Sequence, residues 1–209
     1  MSPDLDANGL TFALPRARVV FTGRPHDVRA EEERCELEAG LGVRLALAHQ
    51  VHGTRVVAAG AAAEEADGVW TDRTGIAPAV VVADCLPVAL AGPRGVAMLH
   101  CGWRGLAGGI VAEGVAALGG EVTAAAIGPG AGPCCYEVGD EVAAHFEPAA
   151  RAGRHLDLPG VARRRLEAAG VGQVEEAGVC TICGDPGRWF SYRREGPGTG
   201  RQAGVVWRA

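Results

Sequence analysis

Strand-forming residues come in short runs along the chain, cut by glycine, proline and polar turns. "TFALPRARVVFTGR" (11–24) reads as two short strands around a turn at Pro15, because the proline separates two β-rich runs. "HDVRAEEERCELEAGLG" (26–42) predicts the first helix, with Asp27 as N-cap, acids in the early turns, and Gly40 or Gly42 at its end. In "RLALAHQVHGTRVV" (44–57), Leu45, Leu47, His49 and Val51 alternate with Ala46, Ala48, Gln50 and His52. That is the period of a strand, stopped or bent by Gly53.

Further on, "AVVV" and "ADC" read as a strand buried on both faces whose last residues turn polar, and "LPVAL" and "VAMLH" flank "AGPRG" as a hairpin. "LAGGIVAEGVAALGG" (106–120) has helical spacing but internal glycines, which predicts close packing against a sheet. "AIGPGAGPCCYEVGDEVAAHF" (126–146) runs from a strand end through a Gly/Pro loop into a helix. "PGVARRRLEAAGV" (159–171) has proline at a helix start and glycine at its end, and strands near "GQVEEAG" and "RQAGVVW" close the pattern. Strands and helices alternate, but the hairpins predict a mixed sheet, so the expected class is α+β.

The hairpin links two reactive side chains. If "AGPR" is the loop, Leu90 pairs with Gly95 and the ladder runs back until Cys85 stands opposite His100. Opposed residues on one face have Cβ atoms roughly 4.5–5.5 Å apart, a separation suited to a thiolate and an imidazole sharing a metal or a proton. Pro87 cannot donate to the ladder and is a candidate bulge. A third ligand comes from "AHQVHG", where a straight strand shows His49 and His52 on opposite faces. His52 is chosen because it lies beside Gly53 at the strand end, while His49 shares a face with Leu45, Leu47 and Val51 and reads as a core group. Two imidazoles and a thiolate suit Zn²⁺ with the fourth position left to water.

Composition narrows the function classes. The 209 residues suit one domain spanning 1–209, and a net charge of −5 argues against a partner that is nucleic acid or an anionic membrane. A small polar substrate fits better. "MSPDLDANGL" carries acid where a secretory signal would be basic and then apolar, so a cytoplasmic protein is expected. The longest apolar stretch is broken by Asp84 and Pro87, so no membrane span is expected. Seven cysteines in a reducing compartment read as thiols, ligands or a nucleophile. Cys134 and Cys135 read as small buried hydrophobes, and "CTIC" (180–183) as half of a zinc ribbon lacking its other half, with no metal assigned.

"QVHGTRV", "ADGVWTD", "VVADCLPVAL", "HCGWRGLAGGIV", "GPGAGPCCYEVGDEV" and "FSYRREGPGTGR", in this order, resemble the YfiH family, the laccase-domain or polyphenol-oxidoreductase-like proteins. The resemblance runs from about residue 17 onward. It implies a layered α/β/β/α fold likened to certain bacterial toxin cysteine hydrolases, and a zinc site made by His52, Cys85 and His100. It further implies phosphorolysis of purine nucleosides, with phosphate as co-substrate, and in some members adenosine deamination. The chain is expected to act as a monomer. Copper is admissible at the three-ligand site, but six histidines cannot supply both a blue-copper centre and a multicopper cluster, which argues against phenol oxidation. No H-x-E accompanies "GPCCYE" or "CTIC", so the cytidine-deaminase type of zinc signature is missing.

Around that centre, Arg34 is the first expected phosphate ligand, since "ERCELEAGLG" resembles the family's N-R-x-x-L-x-x-x-L-G helix with Glu33 in place of Asn; the alternative is a solvated arginine on an acidic helix. Arg104 is the second, where the turn meets a helix beginning near Leu106. Asp84 is read as a proton-handling carboxylate or as the partner that orients a ligand imidazole. Asp67 and Asp72 read as turn residues, and Trp70 and Trp103 as packing anchors or purine platforms. The segment before the first helix is shorter than in relatives, which leaves a thinner wall to the site. Cys85, His100 and Asp84 are the expected catalytic groups. Two further readings use the same residues: a metal-free cysteine hydrolase or amidase with Cys85 as nucleophile and His100 as its base, and a non-enzymatic zinc module.

Overall fold

In the computed structural model, which describes residues 4–6, 9–24, 26–60 and 65–209, the β-rich runs build two large sheets. In chain order the elements begin with β1 (Asp4–Asp6), β2 (Gly9–Leu14), β3 (Ala17–Thr22), α1 (Glu31–Leu41), β4 (Arg44–Ala46), β5 (Val56–Ala58), β6 (Gly68–Thr71) and β7 (Ile76–Val82). They continue with β8 (Leu86–Ala91), β9 (Val96–Cys101), α2 (Trp103–Gly108), α3 (Ile110–Ala117), β10 (Ala124–Ile127) and α4 (Asp140–Ala143). The remainder are β11 (Arg151–Ala152), β12 (His155–Leu156), α5 (Leu158–Ala168), β13 (Gln173–Glu176), α6 (Tyr192–Glu195) and β14 (Gln202–Arg208).

The first sheet has the order β1-β2-β3-β14-β7-β4 and the second β13-β10-β8-β9-β6-β5, six strands each. Both are mixed: β4 is parallel to β7, which is antiparallel to β14, and the parallel pairs β10–β13 and β5–β6 flank an antiparallel centre. Side-chain alternation sets the layers. In β8 and β9, Leu86, Val88, Leu90, Leu99 and Cys101 face α2, α3 and α5, while Ala89, Ala91, Val96 and Met98 face Phe12, Phe21, Val80 and Val206 of the first sheet. On the far side of that sheet, Leu37 of α1 packs with Ala77, Ala79, Ala203 and Val205. The stack is α/β/β/α, as the family resemblance implies. The central strands are buried on both faces, which is why they read as unbroken apolar runs.

Local departures have local causes. Helix α1 starts at Glu31 with Ala30 as its N-cap, because the Asp27 carboxylate is engaged by Arg29 and by the Arg201 backbone N–H. Gly42 ends it in the left-handed region at φ 67. The long strand expected over 44–52 stops at Ala46, and His49, expected in the core, is exposed. The helix over 106–120 is two pieces broken at Gly109, φ 97. Its close approach is real: a Cβ on Gly114 would lie 2.7 Å from Leu99 Cδ1 and 2.9 Å from Leu90 Cδ1. No helix among the described residues is long and apolar enough to cross a membrane.

Candidate active site

The β8–β9 hairpin turns tightly at Pro93–Arg94, with the Gly92 N–H donating to the Gly95 carbonyl at 3.0 Å. This turn is shorter than expected, so Pro87, and not Cys85, stands opposite His100. The shift is even, so the faces are kept. Cys85, just before β8, lies diagonally from His100 on the side facing the first sheet, while Cys101 turns to the helix layer. No bulge forms at Pro87. The His100 N–H points away from β8, to the Asp67 carbonyl at 2.7 Å, so the Pro87–His100 pair exchanges no ladder bonds and the missing donor is not needed.

His52 arrives by a different device from the expected strand end. It sits in the left-handed region at φ 60, and the N–H groups of Val51, His52 and Gly53 donate to the Asp67 carboxylate at 3.1, 2.9 and 2.6 Å. Those three N–H groups therefore serve an anion, not a neighbouring strand. Gln50 holds the loop to β7 through both amide atoms, accepting from the Val81 N–H and donating to the Val81 carbonyl. The donor atoms of His52, Cys85 and His100 then lie within 4.8 Å of one another. Gly102 lets them close: a Cβ there would meet Cys85 Sγ at 3.0 Å and His52 Cδ2 at 3.4 Å.

Asp67, expected to be a turn residue, is fully buried and is the carboxylate that orients the imidazole. His100 Nδ1 donates to its Oδ1 at 2.7 Å, which leaves Nε2 for a metal. Burial works against the Asp67 charge, but His100 and the Gly53 and Val51 N–H groups hold its pKa down to about 2. Burial likewise pushes the Cys85 thiol up, yet His100 and His52 overcome it and bring it to about 6. Burial lowers His100, but Asp67 and Cys85 raise it to about 9. The metal-free centre is thus a thiolate beside an imidazolium. Neighbouring Cys101 is pushed up by burial and stays a thiol.

These donors open on a cavity of about 550 Å³, a size that admits a small ligand. Its other wall carries Trp103, Arg104, Tyr136, Tyr192, Arg193 and Arg201. The Arg104 guanidinium stacks 4.4 Å above the Trp103 ring, and Arg193 and Arg201 lie over Tyr136 and Tyr192. None of these three arginines forms an ion pair among the described residues. Arg104 belongs to a helix that begins at Trp103, earlier than expected.

The remaining candidates go elsewhere. Asp84 borders the cavity, but its carboxylate accepts from Thr181 Oγ1 and the Arg193 N–H, each at 2.7 Å, and its carbonyl accepts from the Ala131 N–H. It clamps three loops together at φ 85 and holds neither ligand imidazole. Arg34 does not line the cavity; its guanidinium donates to the Val28 and Arg29 carbonyls at 2.9 and 2.8 Å. Trp70 lies in β6 under Arg94, as a packing group.

Residues 19–209 match the family described as multi-copper polyphenol oxidoreductase laccase. The chain belongs to this laccase-domain, or YfiH, family. A purine nucleoside phosphorylase of Pseudomonas aeruginosa is 41% identical over 199 residues, 87% of this chain and 81% of that protein. One of Deinococcus radiodurans is 39% identical over 218 residues, 95% and 85% of the two chains. The crystal structure of the Bacillus licheniformis hypothetical protein YfiH superposes with a TM-score of 0.86 at 26% identity, over 99% of each chain.

Within the YfiH fold, the sequence reading missed Asp67, Arg193 and Arg201. All three stand in motifs that carry the resemblance, "ADGVWTD" and "FSYRREGPGTGR", and the need of a ligand histidine for a carboxylate was the available signal. A second correction concerns the other cysteines. Cys134 is exposed and Cys135 only half-buried, so neither is a core hydrophobe, and both lie beside Cys180 and Cys183.

Proposed function

We propose that this protein is a metal-dependent purine nucleoside phosphorylase, acting in the cytoplasm as a single-domain monomer over residues 1–209. The observation that carries the reading is the convergence of His52, Cys85 and His100 on one side of a cavity whose other wall is arginine and aromatic. Relatives that are purine nucleoside phosphorylases support it. Two nitrogens and one sulfur, with His100 fixed by Asp67, fit a zinc ion with an open position. Copper also tolerates this donor set, but among the described residues the second metal-competent group is all cysteine, which leaves no imidazole cluster for a multicopper oxidase.

In phosphorolysis a phosphate oxygen bonds to C1′ of the ribose as the C1′–N9 bond breaks, and its electron pair leaves with the purine. Arg104, Arg193 and Arg201 supply the positive wall that binds phosphate and balances its charge. Tyr192, exposed at the cavity, offers a ring face to the base. Burial, and then the nearby Cys85 charge, push the Tyr136 phenol up to about 12, so it stays protonated as a donor toward the leaving purine. His52, Cys85 and His100 would hold a divalent ion, which would supply Lewis-acid polarisation of the substrate. The same centre is proposed to deaminate adenosine, with water adding at C6 and ammonia leaving.

Purified protein incubated with adenosine and phosphate is expected to release adenine and ribose 1-phosphate, and to release neither without phosphate. Inosine would establish the deaminase activity. Turnover that is independent of phosphate would overturn the phosphorylase reading. Arg104→Ala is expected to raise the KM for phosphate about 10- to 100-fold, the loss of one charged hydrogen bond, whereas Arg34→Ala leaves that KM unchanged and lowers the melting temperature. Steady-state kinetics at varied phosphate separates the two.

One observation favours a second reading. Cys85, His100 and Asp67 form a line resembling a thiolate–imidazolium–carboxylate triad, the arrangement of a cysteine hydrolase. His52 has no part in that chemistry. A chelator would leave such a hydrolase active and alkylation would kill it, while the phosphorylase is expected to lose activity to the chelator and regain it with zinc.

A further inference from the structure

The loop after β10 and the segment before α6 are brought together by main-chain bonds. Gly130 and Cys180 form a parallel bridge, with the Gly130 N–H donating to the Val179 carbonyl at 3.2 Å and the Thr181 N–H donating to the Gly130 carbonyl at 2.9 Å. This alignment carries the Cys-Cys pair 134–135 onto the Cys-x-x-Cys turn 180–183. All four sulfurs lie within 4.8 Å of one another, and Cys134 Sγ and Cys183 Sγ are 3.5 Å apart.

We propose that Cys134, Cys135, Cys180 and Cys183 form a second metal centre, a closed tetrathiolate site for a zinc-class ion, separate from the site at His52, Cys85 and His100. Four sulfurs at about 2.3 Å from a tetrahedral zinc stand about 3.8 Å from each other, so the observed cluster needs only small side-chain adjustments to close on an ion. The surroundings suit that ligand set. Gly132 N–H donates to Cys180 Sγ at 3.3 Å, and the backbone N–H groups of Cys183 and Ile182 also lie against that sulfur. Such donors stabilise a thiolate. The turn itself is closed by the Gly184 N–H on the Cys180 carbonyl at 2.8 Å.

Charge is also provided for. Binding a divalent ion releases one proton from each thiol and leaves the cluster doubly negative. Arg194 sits on the turn, donating to the Thr181 and Ile182 carbonyls at 2.6 and 3.1 Å; it shares the Glu195 carboxylate with Arg24, so the three groups together carry one net positive charge that offsets part of the cluster's. The soft, all-sulfur donor set with no histidine or carboxylate selects zinc or iron over magnesium or calcium. With no open position the centre is structural.

Its place explains its use. Cys135 precedes Tyr136, and Thr181, inside the Cys-x-x-Cys turn, holds the Asp84 carboxylate. A bound ion therefore pins two segments of the cavity wall. Neither sequence half suggests this alone, since the pairs are more than forty residues apart.

Zinc content of the full chain, purified under reducing conditions and measured by plasma mass spectrometry, tests the proposal. Wild type is expected to hold about two zinc ions per chain, Cys85→Ser about one, and Cys134→Ser/Cys183→Ser about one. Cobalt(II) added to zinc-stripped Cys85→Ser is expected to give strong sulfur-to-metal charge-transfer absorption with tetrahedral bands. Cys85→Ser leaves the cluster intact, so this arm does not depend on the cluster variant folding. Iron in place of zinc, with the same dependence on the four cysteines, supports the centre with another occupant. A Cys85→Ser chain that holds no metal and gives no cobalt–sulfur absorption, or whose cluster is found as disulfides by intact mass, would overturn it. Absence of phosphorolysis would leave each of these results unchanged.

Discussion

Replacing Cys85 by serine is expected to empty the His52–His100 centre of zinc and to lower kcat/KM for nucleoside phosphorolysis by about 10³-fold or more, with the fold retained. The magnitude is that of losing several kcal/mol of Lewis-acid stabilisation in the transition state. Two imidazoles remain, but the anionic ligand between them is gone, and a serine hydroxyl does not ionise at neutral pH to replace it. Serine fits the space because it is smaller than the half-buried cysteine it replaces. In metal-stripped wild type the same thiol is expected to be alkylated with a pH midpoint near 6, where an ordinary cysteine would show one near 9. The direction follows from the two histidines outweighing burial. Zinc should protect the thiol at every pH where it binds. Mass spectrometry of iodoacetamide-treated protein, with and without zinc, reads both effects.

Asp67→Asn is expected to weaken zinc binding about 10- to 100-fold and to lower folding stability by about 3 kcal/mol, the larger stability effect of the two. The carboxylate accepts from His100 Nδ1 and from three main-chain N–H groups while fully buried. An asparagine presents its own N–H₂ to one of these donors, and a buried donor loses its acceptor. The pH dependence has a definite sign. Asp67 is held at about 2 in the folded chain against 3.8 for an ordinary aspartate, so its contribution is fully present above pH 3.8 and is lost as pH falls toward 2. The stability gap between wild type and Asp67→Asn should therefore be widest between about pH 4 and 6.5, narrowing below pH 4 as Asp67 takes up its proton and narrowing again as pH rises toward 9, where the His100 imidazolium that Asp67 supports loses its proton, as read by denaturant unfolding at a series of pH values. Asp84→Asn is expected to retain its zinc at this centre, because Asp84 bonds to Thr181 and Arg193 and holds neither ligand histidine.

The layers and the convergence of His52, Cys85 and His100 were legible because they depend on local pattern. Continuous apolar runs marked strands covered on both faces, Gly114 marked a helix pressed on a sheet, and face parity alone put Cys85 with His100 despite the misplaced register. Most of what could not be read is set by contacts distant in sequence. His52 reaches the centre through a left-handed turn around a carboxylate fifteen residues on, which strand periodicity does not reveal. Arg34 was expected at the phosphate and instead braces the loop before its own helix. The four cysteines looked like unrelated thiols until a single backbone bridge at Gly130 joined their segments. For His52 and for the cysteines the partner lies across the fold, and no residue spacing records that.

The central claim is that one divalent ion sits among His52, Cys85 and His100 with a coordination position left for substrate. Anomalous diffraction at the zinc edge from crystals of the metal-loaded chain tests it most directly. A peak about 2.0–2.3 Å from the His52 and His100 ring nitrogens and from Cys85 Sγ, with no fourth protein ligand, is the expected result. Absence of a peak there in zinc-loaded crystals, or a peak closed off by a fourth side chain, would contradict it.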